Sequence, residues 1–343
     1  MTNSGKKSFA LIGCGYWGPN YIRVLQQFPE ADLVLICDAD VNRIRALEAQ
    51  FPNYKFCTSS KEVFGRSDID AVIISTPVES HFPLVKEALA SGKDVLCEKP
   101  LSLRAVEVGE LYALAKANGR IILTGHIYLF HSVVSKLKEI INDKETSRIH
   151  YLTDIRTNLG PIRSDTNVIG DLAAHDISIL YYLLNTEPKL ATASGGIYIQ
   201  PNIHDVAFIT LHFPQNIIAN LSLSWLAPKK QRLFTVVSEN KMITWDDLDI
   251  LEPIRIYDKS ARHDVHYKDY KEFHAVSLRE GNVVIPKVAQ QEPLKAEVAY
   301  FISCMKNRTI DMFHENTAMV VAKTIQAIEE SIKQYGAPVA ILP

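Results

Sequence analysis

The chain has 343 residues, 47% hydrophobic and 22% charged, with a formal net charge of −2. That length favours two domains, and the near-neutral balance leaves no electrostatic footprint for nucleic acid. No apolar run reaches membrane-spanning length, and the apolar stretch at the N-terminus is too short for a signal peptide.

In chain order, "SFALI" (8–12) reads as a strand and "WGPNYIRVLQQF" as the helix that follows. "ADLVLIC" (31–37) precedes the helix "VNRIRALEAQF", and "AVIIS" (71–75) precedes "SHFPLVKEALASG", with Ser80 as N-cap and Gly92 as stop. "DVLC" (94–97) leads to "SLRAVEVGELYALAKANG", capped by Ser102 and ended by Gly119, and "IILTG" (121–125) closes the series. Near-continuous apolar strands alternating with helices predict a doubly wound parallel sheet covered on both faces. After residue 125 the pattern changes. A helix is predicted over 131–142, then a strand "RIHYLTDIRTNL", then a helix in "VIGDLAAHDISIL". Five strand-like runs follow with no helix between them: "KLATASGGIYIQ", "DVAFITLHF", "IIANLSLSWL", "QRLFTVVS" and "KMITW". These predict a mostly antiparallel sheet. Helices over 293–306 and 316–335 finish the chain. The expected domains are 1–125 and 126–343, with the last helix able to pack back on the first domain. The five cysteines (Cys14, Cys37, Cys57, Cys97, Cys304) are scattered and include no C-x-x-C pair. Free thiols in a reducing cytoplasm are expected, with no metal site.

"LIGCGYWGPN" matches G-x-G-x-x-G at Gly13, Gly15 and Gly18, between a predicted strand and a predicted helix. Gly13 allows the tight turn, Gly15 lets the backbone approach a pyrophosphate, and Gly18 permits close helix–sheet packing. The helix N-terminus then faces the phosphates. Asp38 ends the next strand and can accept bonds from both adenosine ribose hydroxyls. Its charge opposes a 2′-phosphate, so NAD is favoured over NADP. Trp17, inside the loop, either borders the nicotinamide pocket or packs the first helix; packing is the expectation. "STPVESH" (75–81) stands at a strand's carboxyl end, where doubly wound sheets bind ligands. "CEKP" (97–100) places Lys99 where it either steadies a developing alkoxide or is a solvated surface lysine.

Together these pieces resemble the Gfo/Idh/MocA oxidoreductase family, named after glucose–fructose oxidoreductase, inositol dehydrogenase and a rhizopine-catabolism protein. The likeness is carried by "GCGYWG", "STPVESH", "CEKP" and "GDLAAHD", in the family's order and rough spacing. It extends over nearly the whole chain, including "EPLKAEVAYFISCM". It implies an N-terminal Rossmann domain and a C-terminal α+β domain with a large, mostly antiparallel open sheet. That sheet often joins subunits, so a homo-oligomer, dimer or tetramer, is expected. The implied reaction is hydride transfer between NAD(P) and a secondary alcohol of a sugar, sugar derivative or cyclitol. The cofactor contacts would come from Gly13, Gly15, Tyr16, Trp17, Gly18, Asp38, Ser75, Thr76, Pro77, His81, Glu98 and Lys99. Carried over by position, His175 is the proton acceptor, Asp171 binds or orients beside it, and Lys99 completes the triad. Asp171 and His175 lie on one face of a helix, continued by Ser178 and Tyr182. An alcohol oxidation needs a base with a pKa near neutrality, which imidazole supplies. Asp176, rotated about 100° from His175, is expected to make a structural hydrogen bond.

His126 is a candidate substrate contact at the start of the second domain. Many relatives carry an Arg-Phe or Arg-Tyr pair nearby; this chain has Leu129 and Phe130, so that arginine contact is not carried over. Arg156, Asn158 and Arg163 either bind an anionic substrate group or are ordinary solvated residues. The leading expectation is an NAD-dependent dehydrogenase acting at C3 of a nucleotide-linked sugar such as a UDP-N-acetylhexosamine. The alternatives are a free-sugar or inositol dehydrogenase, a ketosugar reductase, or a non-enzymatic nucleotide-sensing regulator. The base and lysine argue against the last, since a sensor needs neither.

Overall fold

The structure is a computed structural model that describes residues 6–263 and 276–342; the first five residues of the N-terminal stretch read above lie outside it. The chain forms two compact units. Met1–Phe130 and Gln291–Gln326 make the first, and His131–Gln290 and Ala327–Pro343 the second. Each unit therefore draws on discontinuous sequence, where the change of connection type had put a single boundary at residue 125.

In the first unit, strands β1 (Lys7–Ile12), β2 (Ala31–Cys37), β3 (Phe56–Cys57), β4 (Ala71–Ile74), β5 (Asp94–Glu98) and β6 (Ile122–Gly125) alternate with α1 (Gly18–Leu25), α2 (Val41–Gln50), α3 (Ser60–Gly65), α4 (His81–Ala90) and α5 (Ala105–Ala117). The sheet is wholly parallel, in the order β3-β2-β1-β4-β5-β6. The period-two geometry of a strand explains its apolar runs. Along β1, Phe9 and Leu11 face one core with Tyr21 and Ile22 of α1, while Ala10 and Ile12 face another with Val85 of α4 and Leu111 of α5. The order reverses between β1 and β4, which opens a crevice at the strands' carboxyl ends. Helix α8 (Pro293–Asn307), far away in sequence, packs on the α1 side, with Phe301 edge-on to Phe9 at 6.3 Å. The pair β3 and α3 escaped the sequence reading because β3 is only two residues long.

The second unit begins with α6 (Ser132–Asn142) and β7 (Ile149–Leu159). After α7 (Ala174–Leu184) come β8 (Leu190–Gly196), β9 (Val206–Phe213), β10 (Ile217–Ser224), β11 (Leu226–Ser238), β12 (Met242–Asp246) and β13 (Ile254–Tyr257). β14 (Ser260–His263) and β15 (Val276–Arg279) pair with each other. β16 (Val283–Val284) and β17 (Val339–Ala340) are the edges of a nine-stranded sheet, ordered β16-β13-β12-β11-β7-β10-β9-β8-β17. Only the β7–β10 pair in it is parallel. One face buries Leu152, Ile209, Leu221, Phe234 and Trp245, and the other leaves Tyr151 and Phe208 exposed. The last long helix, α9 (Met312–Lys333), starts four residues earlier than predicted. Among the described residues, no helix is long and apolar enough to cross a membrane.

Candidate functional site

The glycine loop of the first unit is shaped by close contacts. Gly13 has φ +90°, and its N–H donates to the Cys37 carbonyl at 2.8 Å. A Cβ there would lie 2.6 Å from Thr76 Cγ2 and 2.8 Å from the Ser75 carbonyl oxygen. A Cβ on Gly18 would lie 2.6 Å from the Gly13 oxygen, so β1 and α1 meet only because both side chains are absent. A Cβ on Gly15 would meet nothing within 4 Å. That open space beside the first turn of α1 fits a pyrophosphate, which backbone N–H groups and the helix dipole would hold. Tyr16 is 94% exposed next to it, whereas Trp17 packs against the α1 core.

Asp38 is 5% exposed. Its Oδ2 accepts from Cys14 N at 2.7 Å and its Oδ1 from Asp40 N at 2.9 Å. Arg43 Nη1 reaches both oxygens, at 3.0 and 3.2 Å. A carboxylate offers about four acceptor positions, so ribose hydroxyls would exchange with half-exposed Arg43. Arg43 was not singled out from the sequence. It stands in the first turn of α2, and the N-cap Asp40 that starts that helix was its only signal.

Ser75 Oγ donates to the Gly13 carbonyl at 2.6 Å, tying the two loops together. Ser80 does not cap α4 through its side chain; its hydroxyl donates to Thr76 Oγ1 at 2.7 Å. Pro77 is exposed at the loop's outer side. His81 is buried, with Nδ1 and Nε2 each 2.8 Å from a carbonyl, those of Pro100 and Thr76. Its ring clamps two loops and offers no free nitrogen to a cofactor, a correction to the sequence expectation. Ser102 accepts from Arg104 N at 3.0 Å, just ahead of α5. Lys99 follows β5 and precedes a cis peptide bond to Pro100. Glu98 accepts from Tyr21 Oη at 2.8 Å and from Lys99 N at 3.2 Å. His126 is fully buried, with no partner on either ring nitrogen. Burial pushes its pKa down to about 3, helped by the nearby charges of His314 and Lys99. As a buried group it stands behind the surface, not among exposed substrate contacts.

In the second unit, Asn167 starts the helical segment. Its Oδ1 accepts from Ile169 N at 3.1 Å and Gly170 N at 2.9 Å. The segment opens as a π turn, Ile169–Ala173, before α7 begins, where a regular α-helix was predicted. Such turns are frequent at functional sites. Asp171 lies in that turn and His175 four residues on, half-buried. Trp225 Nε1 donates to Asp171 Oδ2 and Arg163 Nη1 to Asp171 Oδ1, both at 3.3 Å. Arg163, its side chain 37% exposed, also forks onto Asp165 at 3.0 and 2.6 Å. That pairing, then the charge of Asp171, raises its pKa.

Arg156 corrects the anion-binding expectation. It is 5% exposed, and its Nε donates to Asp176 Oδ1 at 2.6 Å. The structural partner anticipated for Asp176 is thus an arginine read as a ligand contact. Asp154 lies two residues earlier on the same face of β7, where burial and then the charge of Asp176 push its pKa well above the usual carboxylate range. Asn158 is half-buried and donates to the Gly160 carbonyl. The alternation of β7 sends residues 152, 154, 156 and 158 to the same side. That period was legible; the identity of the facing residue was not.

The first unit therefore defines a dinucleotide-binding protein of the doubly wound class. The family comparison specifies it further. Residues 7–126 match the NAD-binding Rossmann-fold domain of an oxidoreductase family, and residues 134–244 match the GFO/IDH/MocA C-terminal domain. The chain belongs to the Gfo/Idh/MocA oxidoreductase family. It is 26% identical to an uncharacterized oxidoreductase of Bacillus subtilis, YrbE, over 61% of this chain and 64% of that protein. It is 24% identical to an inositol 2-dehydrogenase of Acidothermus cellulolyticus over 65% of this chain and 68% of that one. The matches span 64%, 59% and 62% of the first three curated relatives. A solved UDP-N-acetylglucosamine 3-dehydrogenase, GnnA of Acidithiobacillus ferrooxidans, shares the fold with a TM-score of 0.78 at 21% identity, covering 96% of this chain and 98% of that one.

Proposed function

We propose that the protein is an NAD-dependent oxidoreductase that removes a hydride from a secondary hydroxyl of a sugar. The observation carrying this reading is His175, half-buried one helical turn from Asp171, whose carboxylate is fixed by Arg163 and Trp225. A base must be positioned before it can act. His175 takes the hydroxyl proton, and Asp171 orients the site and favours the imidazolium that forms. Lys99 donates to the reacting oxygen and stabilises its developing negative charge. The Gly13–Gly18 loop and Asp38 hold NAD, which supplies the hydride acceptor when bound. Asp38 would exchange its Arg43 contact for the ribose hydroxyls of the bound cofactor.

For the substrate we propose the C3 hydroxyl of a nucleotide-linked sugar such as a UDP-N-acetylhexosamine. Two points support it: the name of the GnnA structure, and the half-exposed guanidinium of Arg163 beside Asp171. Inositol or a free sugar is the second reading. The inositol 2-dehydrogenase relative favours it, as does the pairing of Arg163 with two carboxylates, which leaves less charge for a diphosphate. The test is kcat/KM with NAD for a nucleotide sugar, its free-sugar counterpart and myo-inositol. A higher value for either uncharged substrate overturns the first reading in favour of the second.

The open outer face of the nine-stranded sheet, with Tyr151 and Phe208 exposed, supports a homo-oligomer joined there. Light scattering on the wild type and a Phe208→Lys variant tests this; a wild-type monomer at micromolar concentration sinks it.

A further inference from the structure

Behind Lys99 lies a buried group of polar side chains that the proposed chemistry does not use. Tyr21 on α1, Glu98 at the end of β5 and Glu297 on α8 meet inside the first unit. Tyr21 and Glu297 are both fully buried. The Tyr21 hydroxyl is 2.8 Å from Glu98 Oε1 and 3.4 Å from Glu297 Oε2. A hydroxyl carries one proton and can donate it once. Were both carboxyls ionised, one would face the oxygen's lone pairs, and two negative charges would share a dry site. A proton on one carboxyl removes both problems.

The surroundings decide which one carries it. Glu98 already accepts from Tyr21 and from the Lys99 N–H. Burial raises its pKa, and the Tyr21 bond, the Lys99 ammonium and the Lys99 N–H all oppose that rise by favouring its charged form. Glu297 has only the longer Tyr21 contact to favour its charge, and its Oε1 has no hydrogen-bond partner. Burial, then the charge of Glu98, drives its carboxyl toward the protonated form.

We propose that Glu297, protonated, donates to Tyr21, that Tyr21 donates to ionised Glu98, and that this relay positions Lys99 for the reaction. The proposal deepens the assignment of Lys99 made above and rests on it. The three are positioning residues: each acts through the next, and only Glu98 adjoins the lysine. Their purpose would be to keep a negative charge and a fixed acceptor behind Lys99 at neutral pH. A lone buried carboxylate could not stay ionised there without donors.

Infrared difference spectroscopy tests the protonation directly. Wild type minus Glu297→Gln, at neutral pH, is expected to show the carbonyl stretch of one protonated carboxylic acid. Signals from buried carboxyls elsewhere, Asp154 among them, are common to both proteins and cancel. A difference containing only carboxylate bands overturns the proposal. Turnover tests the positioning. Glu297→Gln keeps a donor toward Tyr21, so its kcat is expected to exceed that of Glu297→Ala roughly tenfold, the loss of one hydrogen bond in a charged chain. Tyr21→Phe is expected to lower kcat by a similar factor with the KM for NAD unchanged. Equal kcat in the two Glu297 variants, or a Tyr21→Phe effect confined to KM for NAD, overturns the positioning role. Should Lys99→Ala keep normal turnover, the role of Lys99 fails, while the infrared result still reports where the proton sits.

Discussion

Two arginine–aspartate pairs stand near the start of α7, and they differ chiefly in burial. Arg156 and Asp176 are sealed between β7 and α7, whereas Arg163 and Asp171 keep access to solvent. The same chemistry therefore serves two ends. The sealed pair holds a strand against a helix, because breaking it would strand a charge in a dry interior. The open pair fixes a carboxylate four residues before His175 without isolating it from solvent. A matching contrast exists between imidazoles. His126 is buried with neither nitrogen partnered, and His175 is half-buried in the first turn of α7. Burial, not residue type, separates these groups.

The sharpest way to break this comparison is to remove the open imidazole. His175→Ala should lower kcat by about two to four orders of magnitude and leave NAD affinity and the melting temperature nearly unchanged. Near-normal turnover would return His175 to a structural role. The sealed pair should behave oppositely. Arg156→Ala should cost about 3–5 kcal/mol of unfolding free energy, read by urea titration, while NAD affinity of the folded protein persists. A variant as stable as wild type would show that Asp176 does not depend on this arginine.

The sealed imidazoles extend the comparison to pH. Burial holds His126 at about 3 and His314 at about 4, against an ordinary value of 6.5. The folded protein thus binds fewer protons than the unfolded chain below that value. Their stabilisation is complete above pH 6.5 and is lost as the pH falls through the window down to those two values. Glu297 and Asp154 are shifted upward, bind protons more tightly when folded, and oppose this loss. The test is therefore a difference between proteins: His314→Phe should lose less stability than wild type on acidification to about pH 5, by on the order of 2 kcal/mol. Identical pH slopes would mean that His314 is hydrated or paired when folded.

Smaller effects sharpen the open side. Arg163→Ala should raise KM for a nucleotide sugar roughly tenfold and leave KM for NAD alone; equal changes would move Arg163 away from the substrate. Asp38→Ala should narrow a preference for NAD over NADP of at least about tenfold, measured by titration of both. Equal affinity in the wild type would show that Arg43 cancels the charge of Asp38 at that site.

Much of this was legible in residue order. The parallel sheet followed from apolar strands alternating with helices, and the reasons for Gly13 and Gly18 are local backbone approaches. The spacing from Asp171 to His175 is likewise a property of one helical segment. Other features depend on partners far away in the chain. Arg156 and Arg163 look equivalent seven residues apart, yet the first meets Asp176 across the interior and the second meets Asp165 beside it. The π turn at 169–173 has no composition signal. The Glu297–Tyr21–Glu98 group joins residues as many as 276 positions apart.

What the order of residues by itself determined was the set of short-range geometries: strand period, helix face, glycine turn and the chemistry available at each position. Which charged groups would be buried, paired or left facing a ligand was decided only by the tertiary structure. The physical reason is that the cost of burying a charge depends on every group around it, and those groups come from distant segments.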